Sequence, residues 1–187
     1  DDGPDEELTR TSNTQPSLLV MGMAYARALD ARGYRADIVM GHSLGEYTAL
    51  VHGGVLDFSD AVRIVRRRGE LMETAVKNSP GKMAAVIGME RAKLESVIAE
   101  CSAAGVIEIT NFNSPVQVVL SGESAAVDRA VGLINESATA KAVELNVSAP
   151  FHSSLMKPIA DEFRGFLADF SFNEPKAEFI DNVTGLA

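Results

Sequence analysis

The sequence has 187 residues, of which 46% are hydrophobic, which suits one domain or one domain carrying a small insert. Its 17 basic and 26 acidic residues give a net charge of −9, which disfavours broad binding to nucleic-acid phosphates. The single cysteine, Cys101, excludes a disulfide scaffold and a multi-cysteine zinc site, and the three histidines argue against a histidine-rich metal site.

The apolar segments of the chain are too short to span a membrane. The best run, Ser17 to Ala26, is followed within one turn by Arg27 and Asp30. A spanning helix needs about 20 apolar residues. No signal peptide is recognisable at the start of the sequence. We therefore expect a cytoplasmic protein with no membrane partner.

The first part of the chain predicts helices around one short strand. Asp1 to Thr14 is polar and acidic, and we expect it to begin as a surface arm. Gln15-Pro16 is typical of a helix start, and the apolar residues after it predict a helix that ends near Gly33. Asp37 to Met40 is a short apolar run that predicts a buried strand. Two more helices are predicted, from Ser43 to about His52 and in the arginine-rich segment after Asp60.

The middle of the chain predicts a separate module. Its predicted elements are Met83–Ile87 (strand), Arg91–Cys101 (helix), Val106–Thr110 and Val116–Leu120 (strands), Ser124–Ile134 (helix) and Ala142–Asn146 (strand). This βαββαβ order is the pattern of a ferredoxin-like fold. We predict an insert at residues 81–148 within a domain formed by residues 1–80 and 149–187. A helix from about Ser154 to Phe170 and a strand at Glu178–Asp181 are predicted to follow.

The motif Gly41-His-Ser-Leu-Gly45 is a G-x-S-x-G sequence between a predicted strand and a predicted helix. A nucleophile elbow needs small residues around the serine because its turn is tight, and it places the hydroxyl at the N-terminus of a helix. The helix dipole and free N–H groups there favour developing negative charge, so the Leu44 N–H is a natural oxyanion donor. The motif predicts Ser43 as a nucleophile. A glycine-rich turn with a capping serine is the alternative.

A nucleophilic serine needs a base, and the sequence offers three histidines. His42 adjoins Ser43, and neighbouring side chains in an elbow point in different directions, so His42 fits a structural role. His52 lies more than two turns along the predicted helix. His152 follows the insert in a loop-like segment, where catalytic groups concentrate. The residues favour His152, with a satisfied buried histidine as the alternative.

Four motifs together resemble the malonyl-CoA:acyl carrier protein transacylase family, the acyltransferases of fatty acid and polyketide synthesis. The motifs follow the family's order over essentially the whole chain. They are Gly41-His-Ser-Leu-Gly-Glu-Tyr-Thr-Ala49, Arg68-Gly69, Asn111-Phe-Asn-Ser-Pro115 and Phe151-His-Ser-Ser-Leu-Met156. Four motifs in order are far more specific than G-x-S-x-G alone.

The resemblance implies an α/β fold, with an α/β-hydrolase-like core and an inserted ferredoxin-like subdomain. It implies that Ser43 is the acylated nucleophile, that His152 is its base and that Arg68 pairs with the malonyl carboxylate. A guanidinium stays charged and binds a carboxylate through two hydrogen bonds. A neutral acyl group lacks a carboxylate and would leave the guanidinium of Arg68 unpaired, which favours a dicarboxylic acyl group. Without the resemblance, the residues do not separate Arg68 from Arg67.

Phe151 resembles the malonyl-selective pattern of polyketide acyltransferases. Its bulk would crowd an α-methyl branch on the acyl group, an effect of about 1–3 kcal/mol. The alternative is that Phe151 only packs its loop.

The implied activity is transfer of a malonyl group from coenzyme A to the phosphopantetheine thiol of an acyl carrier protein, through a malonyl-serine intermediate. The resemblance implies no cofactor and no metal. Malonyl-CoA is the substrate, and the acyl carrier protein is the partner.

The sequence departs from the family at both ends, and we expect a chain that is truncated there. The family begins with a Gly-Gln-Gly-Ser/Ala-Gln segment whose glutamine N–H completes the oxyanion hole, and Asp1 to Thr14 does not match it. The family also continues beyond Ala187, through a segment that helps to orient the histidine. Loss of one oxyanion donor costs about 10²–10³ in rate.

Two other functions remain open from the sequence. A serine hydrolase such as a thioesterase or lipase would use the same elbow, although it would have no use for Arg68. A non-catalytic module would only dock an acidic carrier protein, through a basic patch such as Arg63, Arg66 and Arg67. Those arginines are equally compatible with a solvated helix face.

Overall fold

The computed structural model describes residues 3–78, 80–147 and 149–187. Asp1, Asp2, Ser79 and Ser148 lie outside the described residues, and they include the start of the predicted arm and the last residue of the predicted insert. The chain divides into two compact units. The first unit comprises Asp1–Leu71 and Glu162–Ala187, and the second comprises Met72–Asp161.

The first unit begins with two helices where the sequence predicted a surface arm. Helix α1 spans Asp5–Thr9 and helix α2 spans Thr11–Asp30, so the prediction of an arm was wrong. Acidic residues of the segment lie in the first turn of α1, where their negative charge interacts favourably with the positive end of the helix dipole. Ser12 and Gln15 are buried, which an arm would not allow.

Proline 16 lies inside α2 and does not start it, so the predicted helix start was also wrong. A proline has no N–H to donate to the carbonyl four residues earlier, which here belongs to Ser12. Arg66 supplies a replacement donor, since its Nη1 lies 3.3 Å from the Ser12 carbonyl oxygen. This side chain explains how the helix continues through Pro16.

Strand β1 spans Ile38–Met40 and pairs in parallel with β6, which spans Glu178–Ile180. Only Val39 of β1 is buried, whereas Ile38 is 51% exposed and Met40 is 68% exposed. The prediction of a buried strand was therefore correct for the strand and wrong for its burial. The sheet has only these two strands among the residues that the structure describes, so little covers the side chains beside Val39.

Two helices follow β1 in the first unit. Helix α3 spans Gly45–His52 and helix α4 begins at Phe58 and ends at Asn78. Gly69 of α4 lies against the start of α2, because a Cβ atom there would come within 2.5 Å of the Ser12 Cα atom. The buried core of this unit consists of Leu19, Met23, Leu44, Val51, Leu56, Ala61, Ile64 and Val65. Helix α7, Lys157–Leu167, contributes Phe163, Phe166 and Leu167 to the same cluster.

The second unit contains an antiparallel sheet with the strand order β3-β4-β2-β5. Its elements are β2 (Gly81–Ile87), α5 (Arg91–Cys101), β3 (Ile107–Ser114), β4 (Gln117–Glu123), α6 (Ser124–Asn135) and β5 (Lys141–Glu144). They follow one another in the predicted order, and α5 has the predicted bounds. Its core joins apolar residues of the sheet, such as Leu120, to residues of both helices, such as Leu94 and Ile134.

Within the described part of the chain, no helix combines the length and the apolar character that crossing a membrane requires.

Candidate active site

The motif around Ser43 forms a tight turn between β1 and α3. Ser43 adopts a left-handed backbone conformation with a φ of 51°. A Cβ atom on Gly41 would lie 2.0 Å from the carbonyl carbon of Gly45, so only glycine fits at this position. A Cβ atom on Gly45 would meet nothing within 4 Å. The two glycines of the motif therefore differ, since only Gly41 is required by the close approach of the backbone.

The turn also arranges the N–H groups at the start of α3. The N–H groups of Gly45, Glu46 and Tyr47 donate to the carbonyls of His42, Ser43 and Leu44, at 2.9, 3.2 and 3.0 Å. The Leu44 N–H takes part in none of these three bonds. It lies at the cap position of α3, where a helix leaves its donors without intrahelical partners. The predicted oxyanion donor is therefore at the positive end of the helix dipole.

Arg68 of α4 lies beside the serine. Its Nη2 donates to the Ser43 Oγ at 3.2 Å, and its Nη1 donates to the Gln15 Oε1 at 2.6 Å. The guanidinium carbon lies 5.8 Å from the centroid of the Tyr47 ring, within the range of a cation–π contact. The side chain is thus fixed next to the hydroxyl by contacts on several sides.

Burial changes the acidity of both members of this arginine–tyrosine pair. Burial lowers the pKa of Arg68 from its ordinary value, and the charges of Tyr47 and Glu46 act in the opposite direction. Burial raises the pKa of Tyr47, and the positive charge of Arg68 opposes that rise. At neutral pH the arginine stays charged, since its ordinary pKa is so high, and the tyrosine stays neutral.

The other arginines of α4 contact acidic side chains. The closest pairs are Arg63 with Asp60 at 3.4 Å, Arg66 with Glu70 at 2.9 Å, Arg67 with Glu70 at 3.5 Å, and Arg67 with Glu162. Arg67 therefore differs from Arg68, since Arg67 has carboxylate partners and Arg68 contacts the serine. The contacts agree with a solvated helix face, in which such pairs contribute little to stability.

His152 lies in the second unit, in a turn in which it adopts a left-handed backbone conformation, as Ser43 does in its own turn. The φ of His152 is 63°, and the Ser153 N–H donates to the Pro150 carbonyl at 3.3 Å. The Ser153 hydroxyl donates to the same carbonyl at 2.6 Å, and the Ser154 N–H donates to the Glu108 Oε2 at 2.7 Å. The two bonds from Ser153 to Pro150 close the turn around His152, and the bond to Glu108 holds the backbone just after it.

The remaining predicted residues have simpler surroundings. Phe151, next to His152, is half-buried. His42 is exposed, and His52 lies at the end of α3 with its Nδ1 4.0 Å from the Asp30 Oδ2. Among residues 3–78, 80–147 and 149–187, no group of three or more histidine, cysteine, aspartate or glutamate side chains is arranged to hold a metal ion.

Ser43 and His152 share one property that sets them apart. They are the only non-glycine residues with a positive φ in the described ranges. Such conformations are costly for residues other than glycine, and they cluster at functional sites.

Sequence reasoning missed Gln15 and Asn182 as parts of the site. Gln15 was interpreted only as the start of a helix, although its side chain binds Arg68. Asn182 follows β6 directly after Asp181, and its side chain contacts the turn around Ser43. A polar residue just beyond the carboxyl end of a predicted strand is the signal that could have found Asn182, since the carboxyl ends of parallel strands often border a binding site.

The comparisons with known proteins agree on one family. A model of the acyl transferase domain matches residues 1–186. The malonyl CoA-acyl carrier protein transacylase of Escherichia coli (strain K12) is 44% identical over 182 residues, which cover 97% of this chain and 59% of that protein. The chain thus spans less than two thirds of the length of this curated relative.

Two solved structures extend the similarity to the fold. The acyl-carrier-protein S-malonyltransferase of Burkholderia pseudomallei 1710b superposes with a TM-score of 0.93 at 45% identity, over 100% of this chain and 61% of that one. A malonyl-transacylase solved in complex with a type II PKS acyl-carrier protein superposes with a TM-score of 0.93 at 40% identity, over 98% and 60% of the two chains. The protein has the mixed α/β fold of these structures, and it belongs to the acyl transferase domain family.

Proposed function

We propose that the protein transfers a malonyl group from coenzyme A to the phosphopantetheine thiol of an acyl carrier protein, in fatty acid or polyketide synthesis. The relatives named above support this reaction class, since they are malonyl transferases or transacylases. One of them was solved with an acyl carrier protein. The chain spans about three fifths of these relatives, so the activity is proposed for the whole protein.

The contact between Arg68 and Ser43 carries the proposal. A guanidinium nitrogen lies 3.2 Å from the hydroxyl oxygen that would be acylated, and Gln15 and Tyr47 hold the guanidinium there. An acyl group on Ser43 would therefore have a charged, forked donor within reach of its far end. A malonyl group ends in a carboxylate that matches this donor, whereas an acetyl group leaves it unpaired.

In the proposed mechanism, His152 removes the proton of Ser43 as its hydroxyl attacks the thioester carbonyl of malonyl-CoA. The Leu44 N–H donates to the oxyanion that forms, and Arg68 binds the malonyl carboxylate. Coenzyme A leaves as a thiol that takes the proton from His152. The carrier thiol then attacks the malonyl-serine as His152 accepts the thiol proton, and His152 gives that proton to the Ser43 oxygen as the ester bond breaks.

We also propose the finer fold that the sequence predicted, with an α/β-hydrolase-like core at residues 1–80 and 149–187 and a ferredoxin-like insert at 81–148. The parallel pairing of β1 with β6 supports the first part, and the antiparallel order β3-β4-β2-β5 with two helices supports the second. Phe151 remains the proposed determinant of selectivity against an α-methyl branch. A location in the cytoplasm likewise remains a prediction.

The test is intact-protein mass spectrometry after mixing the whole protein with malonyl-CoA, beside a Ser43→Ala variant. We expect a gain of one malonyl group that the variant lacks. Acetyl-CoA serves as the matched substrate, and we expect it to acylate Ser43 far more slowly because it cannot pair with Arg68. Equal labelling by both thioesters would remove the basis of malonyl selectivity.

A second step separates the proposed transferase from its rivals. The malonylated protein is mixed with a carrier protein that bears phosphopantetheine, and the malonyl group is followed over time. Transfer to the carrier in preference to water supports the transferase. Faster loss to water would indicate a hydrolase, and binding of the carrier without any acylation would indicate a docking module.

A further inference from the structure

Asn182 contacts the turn around Ser43 at three points. Its side-chain Nδ2 donates to the Gly41 carbonyl, and its Oδ1 accepts the Ser43 N–H at 2.9 Å. Its backbone N–H donates to the Glu46 Oε1 at 3.2 Å. One side chain thus binds the backbone on both sides of His42, and the same residue reaches the first turn of α3.

The parallel pairing of the two strands explains how this residue reaches the turn. Met40 at the end of β1 is paired with Ile180 at the end of β6. Both segments therefore leave the sheet at the carboxyl ends of the strands, and Asn182 lies alongside the segment that leads to Ser43. The contact joins residues 139 positions apart in the sequence.

The chemistry of the contact fits an amide. The Gly41 carbonyl needs a donor and the Ser43 N–H needs an acceptor, and an asparagine side chain presents both in one plane. Ser43 has a φ of 51°, a conformation that serine adopts only where its surroundings hold it. The two bonds fix the peptide groups on either side of His42, and the second of these peptide groups leads directly into Ser43.

We propose that Asn182 is a positioning residue that holds Ser43 in the left-handed conformation in which it acts as the nucleophile. The inference rests on the proposed function, because that function makes Ser43 the acylated residue. Asn182 does not contact the acyl group in this proposal. It binds the Ser43 N–H and fixes the direction of the hydroxyl, while the Leu44 N–H keeps its place at the helix start.

The experiment compares Asn182→Ala and Asn182→Asp in the whole protein, by the single-turnover rate of Ser43 malonylation. We expect Asn182→Ala to lower this rate by about 10- to 100-fold, since small displacements of a nucleophile have effects of that size. In a Ser43→Ala background, the same change is expected to leave the affinity for malonyl-CoA unaltered, because Arg68 binds the carboxylate independently. A fall in affinity to match the fall in rate would indicate a general structural role and overturn the proposal.

The aspartate variant gives a readout that loss of folding cannot imitate. When ionised, the introduced carboxylate faces the Gly41 carbonyl without a donor. When protonated, it regains an O–H donor and keeps its acceptor. We therefore expect the rate of Asn182→Asp, relative to the unaltered protein, to rise as the pH falls from about 8 to about 5. The nearby ionisable groups are Glu46, Asp181, His42 and Arg68, and all four remain in both proteins. A relative rate independent of pH would overturn the proposal.

Asn173 provides the matched control. It is an exposed asparagine of the same C-terminal segment, and its backbone N–H donates to the Val55 carbonyl. We expect Asn173→Ala and Asn173→Asp to leave both the rate and its pH dependence unchanged. Equal effects at Asn173 and Asn182 would contradict a specific role for Asn182.

A fluorophosphonate probe, which labels activated serines, separates the two proposals. If malonyl-CoA fails to label the protein but the probe labels Ser43 and depends on Asn182, the proposed function fails and the role of Asn182 survives. If both reagents label Ser43 without dependence on Asn182, only the role of Asn182 fails. If neither labels Ser43, both proposals fail.

Discussion

The turn at Ser43 and the turn at His152 both hold a left-handed residue, but they are held in different ways. The Ser43 turn is bound by Asn182, whose side-chain amide bonds to the Gly41 carbonyl and to the Ser43 N–H. In the His152 turn, the Ser153 N–H and hydroxyl both donate to the Pro150 carbonyl, and the Glu108 carboxylate accepts the N–H of Ser154. The side chain of Asn182, 139 positions away, therefore binds the first turn directly ahead of its left-handed residue, whereas hydrogen bonds between the residues on either side of His152 close the second turn.

The difference fits the demands of the two proposed roles. A nucleophile has to place one oxygen with little freedom, because its attack depends on short distances and fixed angles. A base that serves two half-reactions accepts and returns a proton, so we expect its role to depend less on the exact position of the backbone. We expect changes at the Ser43 turn to cost more activity than comparable changes at the His152 turn.

The largest effect is expected from Gly41→Ala. The added Cβ would lie 2.0 Å from the Gly45 carbonyl carbon, and backbone atoms cannot move aside as a flexible side chain can. We expect malonylation of Ser43 to fall by at least about 100-fold and the free energy of unfolding to fall by about 1–3 kcal/mol. Gly45→Ala is the matched control, since its Cβ meets nothing within 4 Å, and we expect unfolding to be unchanged within about 0.5 kcal/mol. Similar losses in both variants would show that the close approach at Gly41 does not shape the elbow.

A smaller effect is expected from Glu108→Ala, which removes the acceptor of the Ser154 N–H beside the His152 turn. A partly exposed hydrogen bond of this kind contributes about 1 kcal/mol, so we expect the malonylation rate to fall by less than about tenfold. Glu95→Ala is the control in the same unit, because Glu95 pairs with Arg91 on the surface of α5. Malonylation assays beside thermal unfolding would check both variants. A loss as large as that of Gly41→Ala would contradict the expected difference between the turns.

The elements with a strong local pattern could be predicted from the sequence. Helix α5 has the predicted bounds because its apolar residues recur at helical spacing, and Leu94 and Cys101 are buried against one core. The segment before Gln15 was misjudged because its burial depends on Gly69, far along the chain, which lets α4 approach the backbone of α2. No local pattern contains that contact.

The residues of the candidate site also differ in how far the sequence could predict them. Ser43 was predicted from the G-x-S-x-G motif, and Arg68 was predicted from the resemblance to the family, because the residues alone do not separate it from Arg67. Asn182 was missed because its role depends on the pairing of β6 with β1, which the G-x-S-x-G motif does not indicate. Gln15 was missed because a buried glutamine is recognisable only from the arginine that it binds.

The smallest expected effect concerns Asp181, which shapes the segment that carries Asn182. Its carboxylate accepts the Thr184 hydroxyl and the N–H groups of Thr184 and Val183, and these bonds lower its pKa below the ordinary value of 3.8. Because the pKa is lower in the folded state, the stabilisation is present above the unfolded pKa and is lost as the pH falls through the folded pKa. Asp181→Asn mimics the protonated group at every pH.

We therefore expect the unaltered protein to exceed Asp181→Asn in free energy of unfolding near pH 6, with a difference that shrinks below about pH 4. Chemical unfolding between about pH 2.5 and pH 6 measures it, and Asp169→Asn, at an exposed aspartate of the same unit, is the control. If Asn182 depends on this segment, malonylation by Asp181→Asn is slightly slower at neutral pH, with unchanged affinity for malonyl-CoA. A difference in stability that stays constant with pH would show that the bonds to Thr184 and Val183 do not favour the charged carboxylate. The position of Asn182 would then be attributed to the pairing of β1 with β6.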